Sequence, residues 1–251
     1  MPHHVHRAIA IETSGRVGSV AVVEHDDGRG GVLRIATCLE ETFPHGLRNA
    51  AQMLPIIDRM IRSVGWTPAD VQRVYLSAGP GSFTGLRIAT TFAKSLGWAC
   101  GARLVAVPTV RVLVENAPFE AEHVVVVLDA KRGQVFTASF DRADTSDRPW
   151  VEREPARVDV LDEVLARAPR PVYLIGEGIP YHTAAVQGQP PDQVRVTPEA
   201  CWQARASVLA RLAAQSAADG HFVDPFALSP SYVRLPEPEE KWQARHGEAP
   251  R

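Results

Sequence analysis

One supersecondary pattern occurs twice in this chain, and the repetition constrains the fold more than any other feature. The first copy, VHRAIAIETSGRVGSVAVVE at residues 5–24, has two runs rich in Val, Ile and Ala around a Ser-Gly turn. The second copy, HVVVVLDAKRGQVFTASF at residues 123–140, has two β-branched runs around a turn that contains an acidic residue and a glycine. Such runs joined by a polar turn predict β-hairpins. Two halves that each begin with a hairpin predict two lobes.

The segments that follow the first hairpin predict a sheet covered by helices. Three further β-rich runs, at residues 31–40, 71–78 and 102–109, supply strands. Residues 46–65 place apolar side chains at spacings of three and four, which predicts an amphipathic helix, and residues 86–101 predict a second helix. The inward stripe expected for the first of these helices consists of Leu47, Ala51, Leu54, Ile57, Ile61 and Val64.

The second half is predicted to repeat this plan less regularly. A helix is expected at DVLDEVLARA, a strand at PVYLIGEG and a long closing helix at QARASVLARLAAQSAADG. The segment between the second hairpin and DVLDEVLARA has the composition of a polar connection rich in Asp and Arg. We therefore expect an N-terminal lobe over residues 1–108, a C-terminal lobe over residues 109–224 and a surface tail over residues 225–251.

Composition and charge indicate an ordinary soluble protein without general affinity for nucleic acid. Of the 251 residues, 45% are hydrophobic and 22% are charged. No apolar run approaches the roughly 18 residues that span a membrane, and the N-terminus lacks the apolar core of a secretory signal, so we expect a cytoplasmic protein. The three cysteines have no paired spacing, which argues against a disulfide framework or a Cys-rich zinc site. The formal net charge of -2 leaves any RNA contact local or shared with another protein.

A glycine-rich corner, AGPGSFTGLR at residues 78–87, joins a predicted strand to a predicted helix and matches three functional templates only in part. A phosphate-binding P-loop requires Lys and then Ser or Thr after its last glycine, but a Leu-Arg pair stands there. The dinucleotide fingerprint requires its third glycine three residues after the second, and Gly85 stands one position too far from Gly81. A nucleophile elbow requires glycines two residues before and two residues after Ser82, where a proline and a threonine stand.

What remains of the corner is a turn that leads into a helix. Ser82 or Thr84 can cap that helix, and the free backbone N–H groups at its positive end can hold an anion. Alternatively, Gly79, Gly81 and Gly85 only permit a tight turn and the close packing of helix on sheet. The spacing alone leaves both interpretations open.

Four segments together resemble the bacterial TsaB (YeaZ) family. They are the opening AIAIETS, the corner AGPGSFTGLR with its continuation AKSLGWACGARLVAVPT, the second hairpin VLDAKRGQVFTASF and the tail SPSYVRLPEPEEKW. The resemblance extends from residue 8 to about residue 242 and is weakest between residues 141 and 200. It implies a two-lobed α/β fold of the actin, Hsp70 and sugar-kinase (ASKHA, ribonuclease H-like) group, in which each lobe is a mixed sheet with helices. That expectation agrees with the restart of the pattern near residue 119.

The resemblance also implies a role in making threonylcarbamoyladenosine, the modified adenosine beside the anticodon of tRNAs that read codons starting with A. In that family the protein is a noncatalytic scaffold that pairs with the related transferase TsaD, and the ATPase TsaE joins the complex. We therefore expect a TsaD-like and a TsaE-like partner, contact with tRNA through the complex, and a homodimer when the partner is absent. The helices at residues 46–64 and 86–100 are apolar on more than one side, and the residues expected to face the partner are Met53, Leu54, Ile57, Met60, Ile88 and Phe92.

The same resemblance places two turns of the chain where relatives of this fold hold nucleotide phosphates. The candidate nucleotide or anion site consists of these turns and the glycine corner: Thr13, Ser14, Gly79, Gly81, Ser82, Gly85 and Asp129. Arg16 and Lys131 make the turns poorer in glycine than close approach to a phosphate requires. No cofactor is therefore firmly expected, although ATP or ADP could bind within the complex.

Two other functions compete with the scaffold hypothesis. An independent ATPase or small-molecule kinase would use the cleft between the lobes, with Asp129 holding magnesium or activating water. A metallopeptidase would need a His-x-x-x-His pair on a helix, which the catalytic relative carries, but the helix after His45 contains no histidine. We therefore expect no catalytic residues and no metal site in this chain.

Overall fold

The computed structural model describes residues 5–26, 33–44, 49–143 and 149–231, which form two α/β lobes. The elements of the first lobe are β1 (His6–Glu12), β2 (Val17–His25), β3 (Ile35–Pro44), α1 (Asn49–Ser63), β4 (Arg73–Ser77), α2 (Phe83–Cys100) and β5 (Arg103–Val107). The elements that follow are α3 (Thr109–Val114), β6 (His123–Asp129), β7 (Val135–Arg142), β8 (Trp150–Asp159), α4 (Leu161–Arg167), β9 (Val172–Ile175), α5 (Thr183–Gln187), β10 (Val194–Val196) and α6 (Ala206–Ala218). Short 3-10 helices lie at Pro68–Asp70, Ile179–Tyr181 and Glu199–Cys201.

The two sheets have the same strand order, so the repeated hairpin of the sequence becomes a repeated sheet. The orders are β3-β2-β1-β4-β5 and β8-β7-β6-β9-β10. In the first sheet β1 pairs antiparallel with β2 and parallel with β4, with Ile9 opposite both Val22 and Val74. In the second sheet β6 pairs with β7 and β9 in the same two senses. The expected α/β fold, with a mixed sheet and helices in each lobe, is confirmed.

Alternate residues of the central strands face opposite apolar layers, as the period of two along a strand requires. On β1, Ile9 and Ile11 pack with residues of α1 and α2, whereas Ala8 and Ala10 lie in the layer that contains α6. All four side chains are buried. Because helices cover both faces of the sheet, its central strands carry no polar face, and the small alanines allow α6 to approach closely.

Helix α6 lies in a core that the two lobes share. Its buried Leu209 and Ala210 belong to one apolar cluster with Tyr75 of the first sheet and Phe140 of the second. The helix contacts every strand of the first sheet, although it follows the second sheet in the chain. The division of the chain at residue 108 stays a prediction, and the position of α6 shows that both lobes are built around common apolar residues.

Two segments differ from the sequence-based expectation. Strand β8 runs through the segment that reads as a polar connection, because an edge strand can carry a charged outer face. On this strand Arg157 forms ion pairs with Glu154 at 3.0 Å and with Asp159 at 2.9 Å. The expected surface tail begins with residues that pack on the first lobe, where Leu228 is buried. Its remaining part, residues 232–251, lies outside the described residues.

The helices are too short or too polar to cross a lipid bilayer in the part of the chain that the structure describes.

Replacing Leu209 by Ala should destabilise both lobes together, because it leaves a cavity in the core that they share. Loss of a buried leucine side chain costs about 2–5 kcal/mol. Urea unfolding followed by circular dichroism and by tryptophan fluorescence would measure the change. Leu212→Ala, on the partly exposed side of the same helix, serves as the control and should cost less. Two separate transitions for the two lobes would contradict the shared core.

Candidate functional site

The glycine corner closes against the turn that follows β1, and this contact requires a residue without a side chain at Gly81. The backbone N–H of Ser82 donates to the carbonyl oxygen of Ser14 at 2.7 Å. A Cβ atom on Gly81 would lie 2.5 Å from that same oxygen. The hydroxyl of Thr13 donates to the carbonyl oxygen of Gly85 at 2.8 Å. The corner is therefore packed against the chain's own backbone.

The other contacts of the corner lie at the start of α2 and at Ser231, the last residue that the structure describes. Ser82, rather than Thr84, is the N-cap of α2, and its hydroxyl accepts a hydrogen bond from the N–H of Gly85 at 3.3 Å. Gly79 has a φ of +105°, and a Cβ atom there would lie 2.9 Å from the carbonyl oxygen of Ser231. These contacts favour the interpretation of the glycines as devices for a tight turn and close packing.

A buried carboxyl group lies beneath the first turn. Glu12, the last residue of β1, is fully buried. Its Oε1 accepts hydrogen bonds from the backbone N–H of Ser14, at 2.7 Å, and from the Ser14 hydroxyl, while its Oε2 accepts one from the hydroxyl of Ser77. Burial raises the pKa of Glu12 above its ordinary value of 4.5, although these hydrogen bonds oppose the rise.

The second lobe places a carboxylate of its own against the first turn. Glu177 follows β9 between two glycines, and its Oε2 accepts a hydrogen bond from the backbone N–H of Arg16 at 2.7 Å. A Cβ atom on Gly15 would lie 3.2 Å from both carboxylate oxygens. Burial raises the pKa of Glu177, contacts with Arg16 lower it, and the nearby charge of Glu12 raises it further.

The residues around this turn do not fit a nucleotide phosphate. A phosphate in the turn would need the backbone N–H of Arg16, which already donates to Glu177. It would also have to displace the carboxyl group of Glu177, whose oxygens lie 3.2 Å from where a Cβ atom on Gly15 would stand. The geometry of the first turn is therefore that of an anion site filled by the protein's own carboxylate.

The turn of the second lobe lies close to the first turn. Asp129 ends β6, and its Oδ1 accepts a hydrogen bond from the N–H of Lys131 at 2.7 Å. Burial would raise the pKa of Asp129, but the hydrogen bonds and charge of Lys131 hold it below its usual value. Lys131 and Arg132 have φ values of +65° and +56°, a strained conformation for residues with side chains. Tyr181 links the two turns, because Arg16 Cζ lies 4.9 Å and Lys131 Nζ 5.5 Å from its ring centroid.

Most of the predicted site residues meet where the corner contacts the first turn, and these are Thr13, Ser14, Gly81, Ser82 and Gly85. Gly79 instead faces Ser231, and Asp129 belongs to the opposite turn with Lys131. Glu177 was not among the predicted site residues, although its position between two glycines after the strand PVYLI was a signal in the sequence. Among the described residues, no three His, Cys, Asp or Glu side chains are grouped so that they could hold a metal ion.

An apolar groove lies between α1 and α2 on the outer side of the first lobe. It encloses a cavity of about 180 Å³, lined by the predicted partner-facing residues Leu54, Ile57 and Phe92, by other apolar side chains and by Asp58. Leu54 is 48% exposed, whereas Phe92 and Ile88 are partly buried. Of the predicted interface residues, Leu54, Ile88 and Phe92 are therefore the ones with solvent-accessible side chains.

The inward face of α1 differs from the predicted stripe. Met53 and Met60, expected on a partner-facing side, are buried against the first sheet, and Ile57 is buried as well. Leu54, expected in the inward stripe, is exposed instead. The helix is apolar on overlapping faces, so periodicity alone allowed two rotations about its axis. Leu47, also expected in the stripe, lies outside the described residues.

Replacing Gly81 by Ala should destabilise the first lobe, because the new Cβ atom would meet backbone atoms of Ser14 that cannot move independently of β1. Overpacking of this kind costs roughly 1–3 kcal/mol. Gly188→Ala is the matched control, since its Cβ would have only ordinary contacts, the nearest at 3.5 Å. Urea unfolding of both variants would measure the difference. Equal stabilities would show that the corner does not depend on the missing side chain.

Replacing Glu12 by Gln should stabilise the protein increasingly, relative to the wild type, as the pH rises above 4.5. Burial raises the folded-state pKa of Glu12, so the folded state keeps a proton that the unfolded state has released. The resulting stability is fully present below the unfolded pKa and is lost toward the folded one. Urea unfolding of both proteins over a series of pH values would test this. Glu163→Gln, at an exposed position, should follow the wild type, and the same behaviour of Glu12→Gln would contradict the expectation.

Comparison with known proteins gives a consistent assignment. A family model described as TsaD, tRNA N6-adenosine threonylcarbamoyltransferase, matches residues 48–226. The tRNA threonylcarbamoyladenosine biosynthesis protein TsaB of Bacillus subtilis is 27% identical over 236 residues, which cover 93% of this chain and 96% of that protein. TsaB of Escherichia coli is 27% identical over 138 residues, which cover 54% of this chain and 55% of that protein.

A solved structure shows the same fold. YeaZ from Pseudomonas aeruginosa superposes with a TM-score of 0.72 at 23% identity, covering 90% of this chain and 99% of that one. The family model spans most of the present chain, and the similarity to the Bacillus subtilis protein extends over almost all of it. The chain therefore belongs to the family of the threonylcarbamoyltransferase TsaD and, within that family, to the TsaB (YeaZ) group.

Proposed function

We propose that this chain is a noncatalytic subunit of the cytoplasmic complex that makes threonylcarbamoyladenosine in tRNA. The relatives from Bacillus subtilis and Escherichia coli both carry the name tRNA threonylcarbamoyladenosine biosynthesis protein. Their names support the pathway, and the noncatalytic role is argued from the cleft of the present chain.

The hydrogen bond between Glu177 and the N–H of Arg16 is the observation that carries the noncatalytic role. In an enzyme of this fold, the turn after β1 would receive a phosphate, and here a carboxylate from the other lobe takes that place. We therefore propose that the cleft binds no nucleoside triphosphate and that any ATP or ADP in the complex is held by another subunit.

The groove between α1 and α2 supports the proposal that the chain binds a partner protein of its own family. An exposed leucine beside an apolar cavity is unfavourable in water and gains free energy when a second protein covers it. We propose a TsaD-like transferase as the occupant, with a TsaE-like ATPase joining the pair and tRNA reached through the assembly. A homodimer through the same groove would form when the transferase is absent.

Replacing Leu54 by Asp should weaken association with the TsaD-like transferase at least tenfold, because it would bury an unpaired carboxylate in an apolar groove. The unfolding free energy should change little, since this side chain is 48% exposed. Val196→Asp, at a 42% exposed position on β10 of the other lobe, is the matched control and should bind as the wild type does. Titration calorimetry with the purified transferase and formation of threonylcarbamoyladenosine by the reconstituted complex would measure both effects. Full activity of Leu54→Asp would refute the groove as the docking site.

The alternative function, an independent ATPase or small-molecule kinase, would depend on Asp129, whose lowered pKa keeps it ionised at neutral pH. Steady-state ATP hydrolysis by the isolated chain separates the two functions. We expect no turnover above that of the Asp129→Ala variant. Robust turnover that Asp129→Ala abolishes would overturn the noncatalytic role.

A further inference from the structure

Two exposed aromatic rings, those of Tyr181 and Phe83, are each approached by at least one cation. Tyr181 is 54% exposed, and both Arg16 and Lys131 lie over its ring. Phe83 is 36% exposed, and the Arg87 guanidinium carbon lies 5.0 Å from its ring centroid. We define the rim surface as five residues: Arg16, Phe83, Arg87, Lys131 and Tyr181.

Backbone contacts of both lobes hold the rim surface together. The bond from Ser82 to Ser14 joins the start of α2, with Phe83 and Arg87, to the turn that carries Arg16. Glu177 then links that turn to the segment that carries Tyr181. Lys131 of the second turn joins them through the ring of Tyr181, so the rim surface is formed from four separate segments of the chain.

The charge of the rim surface is only partly balanced. Lys131 forms an ion pair with Asp129, whose side chain is only 18% exposed. Within the described part of the chain, no carboxylate lies at ion-pair distance from the Arg16 or Arg87 guanidinium group, although the charge of Arg16 acts on Glu177 and lowers the pKa of that group. Arg16 and Lys131 approach the same ring, so their like charges lie near each other and an anionic partner would be favoured.

We propose that the rim surface binds a single-stranded loop of RNA, with phosphates near Arg16, Arg87 and Lys131 and unpaired bases stacked on Tyr181 and Phe83. Cations interleaved with exposed aromatic rings suit unpaired nucleotides, because every base has a face that can stack while its backbone supplies negative charge. A regular duplex would offer only its phosphates, since its bases are already stacked. This inference rests on the proposed function. The RNA proposed to bind is the anticodon stem-loop of the tRNA that the complex modifies.

The net charge of the chain agrees with such a local site. A protein with a formal net charge of -2 has no general attraction for nucleic acid, so affinity must come from a small cluster and from stacking. Binding by the isolated chain should accordingly be weak and strongly dependent on salt, and stronger when the partner subunits add contacts.

The test measures the affinity of the full chain for a fluorescently labelled, unmodified anticodon stem-loop by anisotropy at several salt concentrations, alone and in the reconstituted complex. Tyr181→Ala should weaken binding roughly tenfold through loss of stacking, whereas Tyr181→Phe should retain the wild-type affinity. Arg16→Gln and Arg87→Gln should each weaken binding and lower the salt slope by about one, as loss of one phosphate contact requires. Arg16→Gln leaves the backbone N–H that bonds Glu177 in place.

Two control variants lie away from the rim surface. Trp98→Ala removes an 82% exposed aromatic ring near the opposite end of α2. Arg153→Gln removes one positive charge from β8, where that residue pairs with Asp141 rather than with the cleft turns. Both should bind the stem-loop as the wild type does.

The outcomes separate this inference from the proposed function. Unchanged RNA affinity in Tyr181→Ala, Arg16→Gln and Arg87→Gln, or no binding by the wild type in either form, would overturn the rim surface while transferase association could still support the function. Loss of affinity for the transferase instead of RNA would assign the surface to a protein and also overturn the inference. Failure of the wild-type chain to support threonylcarbamoyladenosine formation would refute the proposed function, whatever the RNA titrations give.

Discussion

The apolar faces of both sheets must be covered on two sides, and this requirement organises the molecule. Central strands such as β1 alternate isoleucine and alanine, so neither face can be left to water. Helices α1 and α2 cover one face of the first sheet, and α6 covers the other. Because α6 also belongs to the apolar cluster that includes the second sheet, the two lobes are joined by core packing.

The shared core brings the two hairpin turns close together. The first turn carries Ser14 and Arg16, and the second carries Asp129 and Lys131. In a nucleotide enzyme such a pair of turns would hold phosphates between the lobes. Here the first turn contacts Glu177, and Arg16 and Lys131 from the two turns lie over the ring of Tyr181. A carboxyl group of the chain itself therefore occupies the first turn.

Local pattern was sufficient for the elements whose residues interact mainly with near neighbours in the chain. Both hairpins, the helix after the glycine corner and the closing helix were predicted because β-branched runs, a capping serine and a spacing of three and four are local signals. Strand β8 was not predicted, because its many charged residues hide the alternation of apolar and polar side chains that is typical of a strand. In the structure these charges are paired, as Asp159 is with Arg157 and Arg167. The outward position of Leu54 was missed because the sheet, and not the helix, decides which apolar side is buried.

The sequence by itself determined that the chain forms two hairpin-led halves, that a glycine corner leads from a strand into a helix, and which family the motifs resemble. Only the tertiary structure decided what fills the first turn, since Arg16 and Glu177 are separated by 161 residues. It also decided that α6 packs on the first sheet and that Tyr181 meets cations from two turns. The physical reason is that burial, hydrogen bonding and charge depend on distances in space, whereas periodicity and turn chemistry depend on distances along the chain.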